Sequence, residues 1–152
     1  EGAWGSEGLP AAGPASAQFP VCAVQFLAGA TRRLRPQGFG YAQQWTAAEQ
    51  TAYETLMAGE LGVHHRLLGH ADAIQDDMHL QAHLLANGQP LDTPPDAALQ
   101  KAALDWVLLF QCDTDPNTGM NWANNGRLYY WIQRQALQSG NFEQTWMILQ
   151  SE

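Results

Sequence analysis

The stretch Trp106–Trp131, WVLLFQCDTDPNTGMNWANNGRLYYW, joins two apolar runs through a long polar connection, and its reading decides the fold. Trp106-Val107-Leu108-Leu109-Phe110 is short, continuously apolar and followed by turn residues, the pattern of a strand buried on both faces. Leu128-Tyr129-Tyr130-Trp131-Ile132 is aromatic and β-favouring and reads as its partner. The connection, from Gln111 to Gly126, is far longer than the roughly two to five residues usual in hairpins; loops of such length are functional or disordered, and this one has the composition of an ordered site.

Working outward, Thr145 to Gln150 gives a last strand, and Gln135 to Phe142 a short turn or helical step stopped by Gly140-Asn141. Upstream, Pro94-Pro95-Asp96 predicts a short helix with Pro95 in its first turn. Residues 78–85 read either as a helix stopped by Asn87-Gly88 or as a strand alternating Met78, Leu80, Ala82 and Leu84; helix is preferred. Thr46 and Glu49 have capping-box spacing ahead of Ala52, Tyr53, Leu56 and Met57, the surest helix of the chain. Val21 to Leu27 is a candidate strand. Residues 1–18, rich in Gly, Ala, Pro and Ser, read as a tail or linker before a domain over 19–152. Helices followed by a run of strands without crossovers predict an α+β domain, a mainly antiparallel sheet with a few short helices packed on it.

Composition limits the partners. Fifteen acidic residues against seven basic ones give a formal charge of −8, with Lys101 the single lysine. So little positive charge argues against nucleic acid, and the acidic balance is read as maintaining solubility. No run approaches the ~18 apolar residues of a membrane span. The arginines Arg32, Arg33 and Arg35 read as a solvated loop. Cys22 and Cys112 lie in apolar runs, where a free thiol behaves as a small buried hydrophobe in a reduced, cytoplasmic-type setting.

Three groups of side chains carry candidate chemistry. Asp113 and Asp115 present oxygens at alternate positions, as a hard cation such as Ca²⁺ requires, but an EF-hand would need Gly at Thr118 and Glu at Asn124, so turn-shaping by the aspartates is preferred. His79 and His83 share a face if 78–85 is helical, with Asp76 as a third possible zinc ligand; a solvated pair is the favoured reading. His65, among His64, Arg66, Gly69 and His70, reads as a histidine whose hydrogen bonds tie a turn together. No serine sits in a nucleophile elbow, and neither cysteine has an activating neighbour. Trp122 and Tyr130, with Met120, Tyr129 and Trp131, suit a pocket floor or an interface.

Three segments resemble the YwqG-like family, bacterial domains of unknown function: His64 to His70 running on to Ile74-Gln75 and Asp77-Met78, then Trp106 to Asp115, then Gly119 to Ile132 with the closing Trp146 to Gln150. Phe19 to Val24 is similar to the family's preceding strand. The resemblance covers about residues 19–152 and implies the C-terminal part of a longer family chain, with an upstream half absent from this sequence. This sequence departs at Asp76, where a glycine usually stands, at Ala71, where proline is common, and at Ala123-Asn124-Asn125, which replaces a Gly-Asp-Ala type of turn. The resemblance implies a cytoplasmic bacterial protein without an established reaction. By analogy it suits an immunity-like role, binding and blocking a toxin.

These readings together favour a non-catalytic binding domain for a protein partner. Its candidate residues are His65, Gln75, Asp77, Gln111, Asp113, Asp115, Trp122 and Tyr130, with no cofactor expected. The alternative is a metal-assisted hydrolase or cation-binding module in which Asp113, Asp115, Asp77 and a histidine hold Ca²⁺ or Zn²⁺. A third reading has Gln75, Asp77, Gln111 and Asp113 fixing turns over the core.

Overall fold

The computed structural model describes residues 22–29, 31, 46–58, 62–75 and 77–152. The tail over 1–18, the arginines Arg32, Arg33 and Arg35, and Asp76 lie outside the described residues. In chain order the elements are α1 (Ala47–Ala58), β1 (Arg66–Leu67), α2 (His79–Ala86), α3 (Ala97–Ala103), β2 (Trp106–Asp113), β3 (Arg127–Gln133), α4 (Arg134–Gln138), a 3₁₀ turn (Phe142–Gln144) and β4 (Trp146–Gln150). The strands form one antiparallel sheet in the order β1-β2-β3-β4, so the fold is α+β.

The sheet is held by the pairing of the two opening runs. Trp106 lies opposite Gln133 and Asp113 opposite Arg127, with a bulge between Leu108 and Phe110. A bulge inserts one residue and shifts the side-chain alternation beyond it. Trp106 and Leu108 therefore face the same side as Gln111 and Asp113, and all four are buried. The expectation of a strand buried on both faces is corrected here. Val107, Leu109, Phe110 and Cys112 are only half-buried, because helices cover the inner face while the outer one stays partly open.

Residues 78–85 prove helical. Met78 and Ala82 of that segment pack with Trp106, Leu108, Tyr129, Trp131 and Ile148 in the core. The small Ala82 lets the helix lie close on two tryptophans. Beyond its end Gly88 adopts φ 61°, which ends the helix at little steric cost. The next helix starts later than Pro95: Asp96 is its cap, accepting from Leu99 N–H at 2.7 Å, and both prolines precede it. The capping box at α1 forms as read, with Thr46 N–H and Oγ1 each donating to Glu49 Oε2 at 2.8 Å and Glu49 N–H donating to Thr46 Oγ1 at 3.3 Å.

Two readings fail. Residues 22–29 form no strand; Val24, Phe26 and Leu27 are more than 70% exposed. An apolar run becomes a strand only where a neighbour completes its ladder, and among the described residues none lies beside it. Conversely, β1 was not anticipated, because its two residues have no periodicity to read; it exists through pairing with Phe110 and Gln111. Among the described residues no helix is long and apolar enough to cross a membrane.

Candidate functional site

The connection between β1 and α2 crosses the inner face of the sheet where Gln111 and Asp113 emerge. Asp72 is the centre of what forms there. Its N–H donates to Gln111 Oε1 at 2.9 Å, and its carboxylate accepts from Gln111 Nε2 at 3.2 Å and from Arg66 Nη1 at 2.5 Å. Its carbonyl accepts from Tyr129 Oη at 2.7 Å and Arg127 Nη1 at 3.0 Å. Gln111 Nε2 also donates to His64 C=O at 2.8 Å. Asp113 accepts from His64 N–H at 3.0 Å and pairs with Arg127 Nε at 2.8 Å. Two buried aspartates are thus each matched by an arginine, which makes their burial tolerable.

At the rim, Asp113 N–H donates to His65 Nδ1 at 3.2 Å, while His65 Nε2 lies 3.4 Å from Asp115 Oδ2. The backbone donor keeps Nδ1 unprotonated, so the ring proton sits on Nε2 and points to Asp115. His65 therefore ties its segment to the end of β2 and the start of the long loop, rather than tying its own turn together. At the other side Gln150 Oε1 accepts from the N–H groups of Ile74 and Gln75 at 3.0 and 3.1 Å, and Gln75 Nε2 donates to Ser151 C=O at 2.9 Å.

The loop from Thr114 to Gly126 is folded on itself. Asp115 accepts from Asn117 N–H at 2.9 Å and bridges Met120 through the backbone. Thr114 Oγ1 donates to Gly126 C=O at 2.9 Å and accepts from Trp122 N–H at 3.1 Å, and Trp122 Nε1 donates to Asp113 C=O at 3.1 Å. Ala123 and Asn125 both adopt left-handed backbone, the strained part of the loop. A Cβ on Gly126 would collide with the carbonyls of Trp122 and Gln150, so glycine is needed where the loop meets the end of β4.

The electrostatics follow the bonding. The Asn117 N–H beside Asp115, aided by His65, holds its carboxyl below the usual aspartate range. Burial pushes Tyr129 up to about 12. Burial also pushes up the Cys112 thiol, which touches Met120 Sδ at 3.8 Å and is not poised as a nucleophile.

The predicted residues divide among three places. His65, Gln75, Gln111, Asp113 and Asp115 join the inner-face network or its rim, and Trp122 bonds the backbone carbonyl of Asp113. Asp77 stands apart at the start of α2, where Oδ1 accepts from His79 N–H at 2.9 Å and meets His79 Nδ1 at 2.6 Å. Tyr130 is on the opposite face, its ring 6.0 Å from Phe110. The solvated reading of His79 and His83 is corrected: His79 lies edge-on to Trp131 at 4.7 Å, and His83 Nδ1 accepts from Trp106 Nε1 at 3.4 Å. Both histidines turn toward the sheet because α2 is pressed onto two tryptophans. Among the described residues no three His, Cys, Asp or Glu side chains are grouped to hold a metal ion.

Arg66, Asp72, Arg127, Tyr129 and Gln150 were not anticipated as network members. For Arg127, Tyr129 and Gln150 the signal was present: they share strand parity with Trp131 or Ile148 and so must face the core. Asp72 had no such signal, since it lies on an irregular segment.

Sheet, covering helices and network together define an α+β domain in which a buried polar cluster pins one connection and one loop to the inner face of an antiparallel sheet. The chain belongs to the family described as a domain of unknown function, DUF1963, which matches residues 16–151. No curated protein matches it.

Proposed function

We propose that this chain is a non-catalytic binding domain, of immunity or regulatory type and of the YwqG-like kind, that holds a protein partner against the 113–126 loop and its neighbouring aromatic residues. One observation carries the reading. The loop is held in shape by its own hydrogen bonds and by His65 at Asp115, while the outer sheet face beside it leaves Phe110 and Tyr130 half-exposed and Met147 and Leu149 exposed. Surfaces of rigid aromatic residues, Met and flanking polar groups suit protein contacts.

The test is recovery of a partner from a bacterial lysate by the wild type, by Trp122→Ala and by Asn124→Lys, a change at an exposed position that leaves the network alone. Loss of recovery by both variants, with unchanged melting temperature, supports the reading; equal recovery by all three removes the loop from it. The cation-binding alternative, with Asp113 and Asp115 as ligands, requires their present partners to be displaced. Heat evolved on titration with millimolar Ca²⁺ or Zn²⁺, and abolished by Asp115→Asn, would favour that alternative.

A further inference from the structure

The β4 strand closes one side of the sheet, and among the described residues no strand lies beyond it. Successive residues of a strand point their backbone groups to alternate sides, so part of the β4 backbone faces outward with no ladder partner among the described residues. Edges of this sort are normally blunted by a charged side chain, a proline or a bulge. Trp146-Met147-Ile148-Leu149-Gln150 contains no charged residue and no proline, and pairs with β3 in unbroken register. Ile148 and Gln150 point into the core, whereas Met147 and Leu149 are about half-exposed beside Tyr130 and Leu128.

Charge identifies the occupant. Exposed Glu143 stands just before this neutral strip and exposed Glu152 just after it. The nearby Arg134 is turned toward Asp105. Antiparallel pairing of β4 with a second copy of itself would bring each copy's Glu143 alongside the other's Glu152, a like-charge contact at both ends between chains that each carry −8. An extended segment with cationic ends meets the same carboxylates favourably.

We infer that β4 is a strand-addition site for an extended segment of a partner protein, apolar or neutral at alternating positions and bearing Lys or Arg at each end. Backbone bonds to the open edge supply affinity, Met147 and Leu149 receive alternate side chains, and Glu143 and Glu152 select the charge. The inference rests on the protein-binding reading and specifies the mode of contact.

The probe is a short synthetic peptide alternating valine and threonine between terminal lysines. It is compared with versions bearing terminal glutamates or a methylated backbone, using amide exchange of the full chain by NMR. At about ten times its Kd the lysine-ended peptide slows the outward β4 amides about tenfold. The glutamate-ended and methylated peptides do not, and Glu143→Lys with Glu152→Lys reverses the preference. Absence of β4 protection, or protection indifferent to the peptide ends, overturns the inference, as does dimerisation through β4 detected by sedimentation without peptide. If β4 is unaffected while Trp122→Ala and Asn124→Lys still abolish partner recovery, strand addition fails and the binding reading stands.

Discussion

Asp72 is bonded by side chains from β1, β2 and β3, so its surroundings show how single residues hold this molecule. Gln111 is fully buried and bonded on either side of β1, to His64 before it and Asp72 after it. Replacing it with Leu leaves a buried N–H and C=O without partners, and unfolding in urea should show a loss of about 3 kcal/mol. Tyr129→Phe removes one donor to a carbonyl that Arg127 still satisfies, so the loss should be smaller, about 1 kcal/mol. Tyr129 also sets an alkaline limit. Its folded pKa of about 12 lies above its unfolded value of about 10. The unfolded chain therefore releases this proton first, and the contribution is complete below pH 10 and lost as pH rises from about 10 to about 12. Melting temperatures across that range should fall more steeply for the wild type than for Tyr129→Phe.

Elements are set by a few local devices, of which the β2 bulge matters most. It turns Gln111 and Asp113 onto the face occupied by Trp106 and Leu108; without it, strict alternation would send them outward, taking Gln111 from Asp72 and Asp113 from Arg127. At α1 the device is the reciprocal bond between Thr46 and Glu49. Thr46→Ala should weaken the first turn by about 1 kcal/mol, seen as roughly fivefold faster amide exchange at the start of α1. The strands should be unaffected, because that bond is confined to the helix end.

For the molecule as a whole, the sheet order ranks local stability. Because β3 is flanked by β2 and β4, its ladder is complete on both sides, whereas β1 contributes two residues at an edge. Hydrogen exchange followed by mass spectrometry should find β3 slowest, β4 intermediate and residues 22–29 fastest. Comparable protection of 22–29 and β3 would contradict this layout.

Periodicity and end signals determined the α+β class, the β2–β3 pair, β4 and the start of α1, because these are properties of contiguous residues. The same parity placed Tyr129 and Trp131 together and could have placed Arg127 and Gln150 with them. Tertiary structure alone decided that residues 22–27 form no strand, that His79 and His83 face tryptophans, and that Asp77 is separated from Asp113. It also made Asp72 the meeting point of Gln111, Arg66, Arg127 and Tyr129. Each outcome depends on which backbone and side-chain groups lie beside which, and a buried polar group takes its partners from across the fold rather than from its neighbours in the chain.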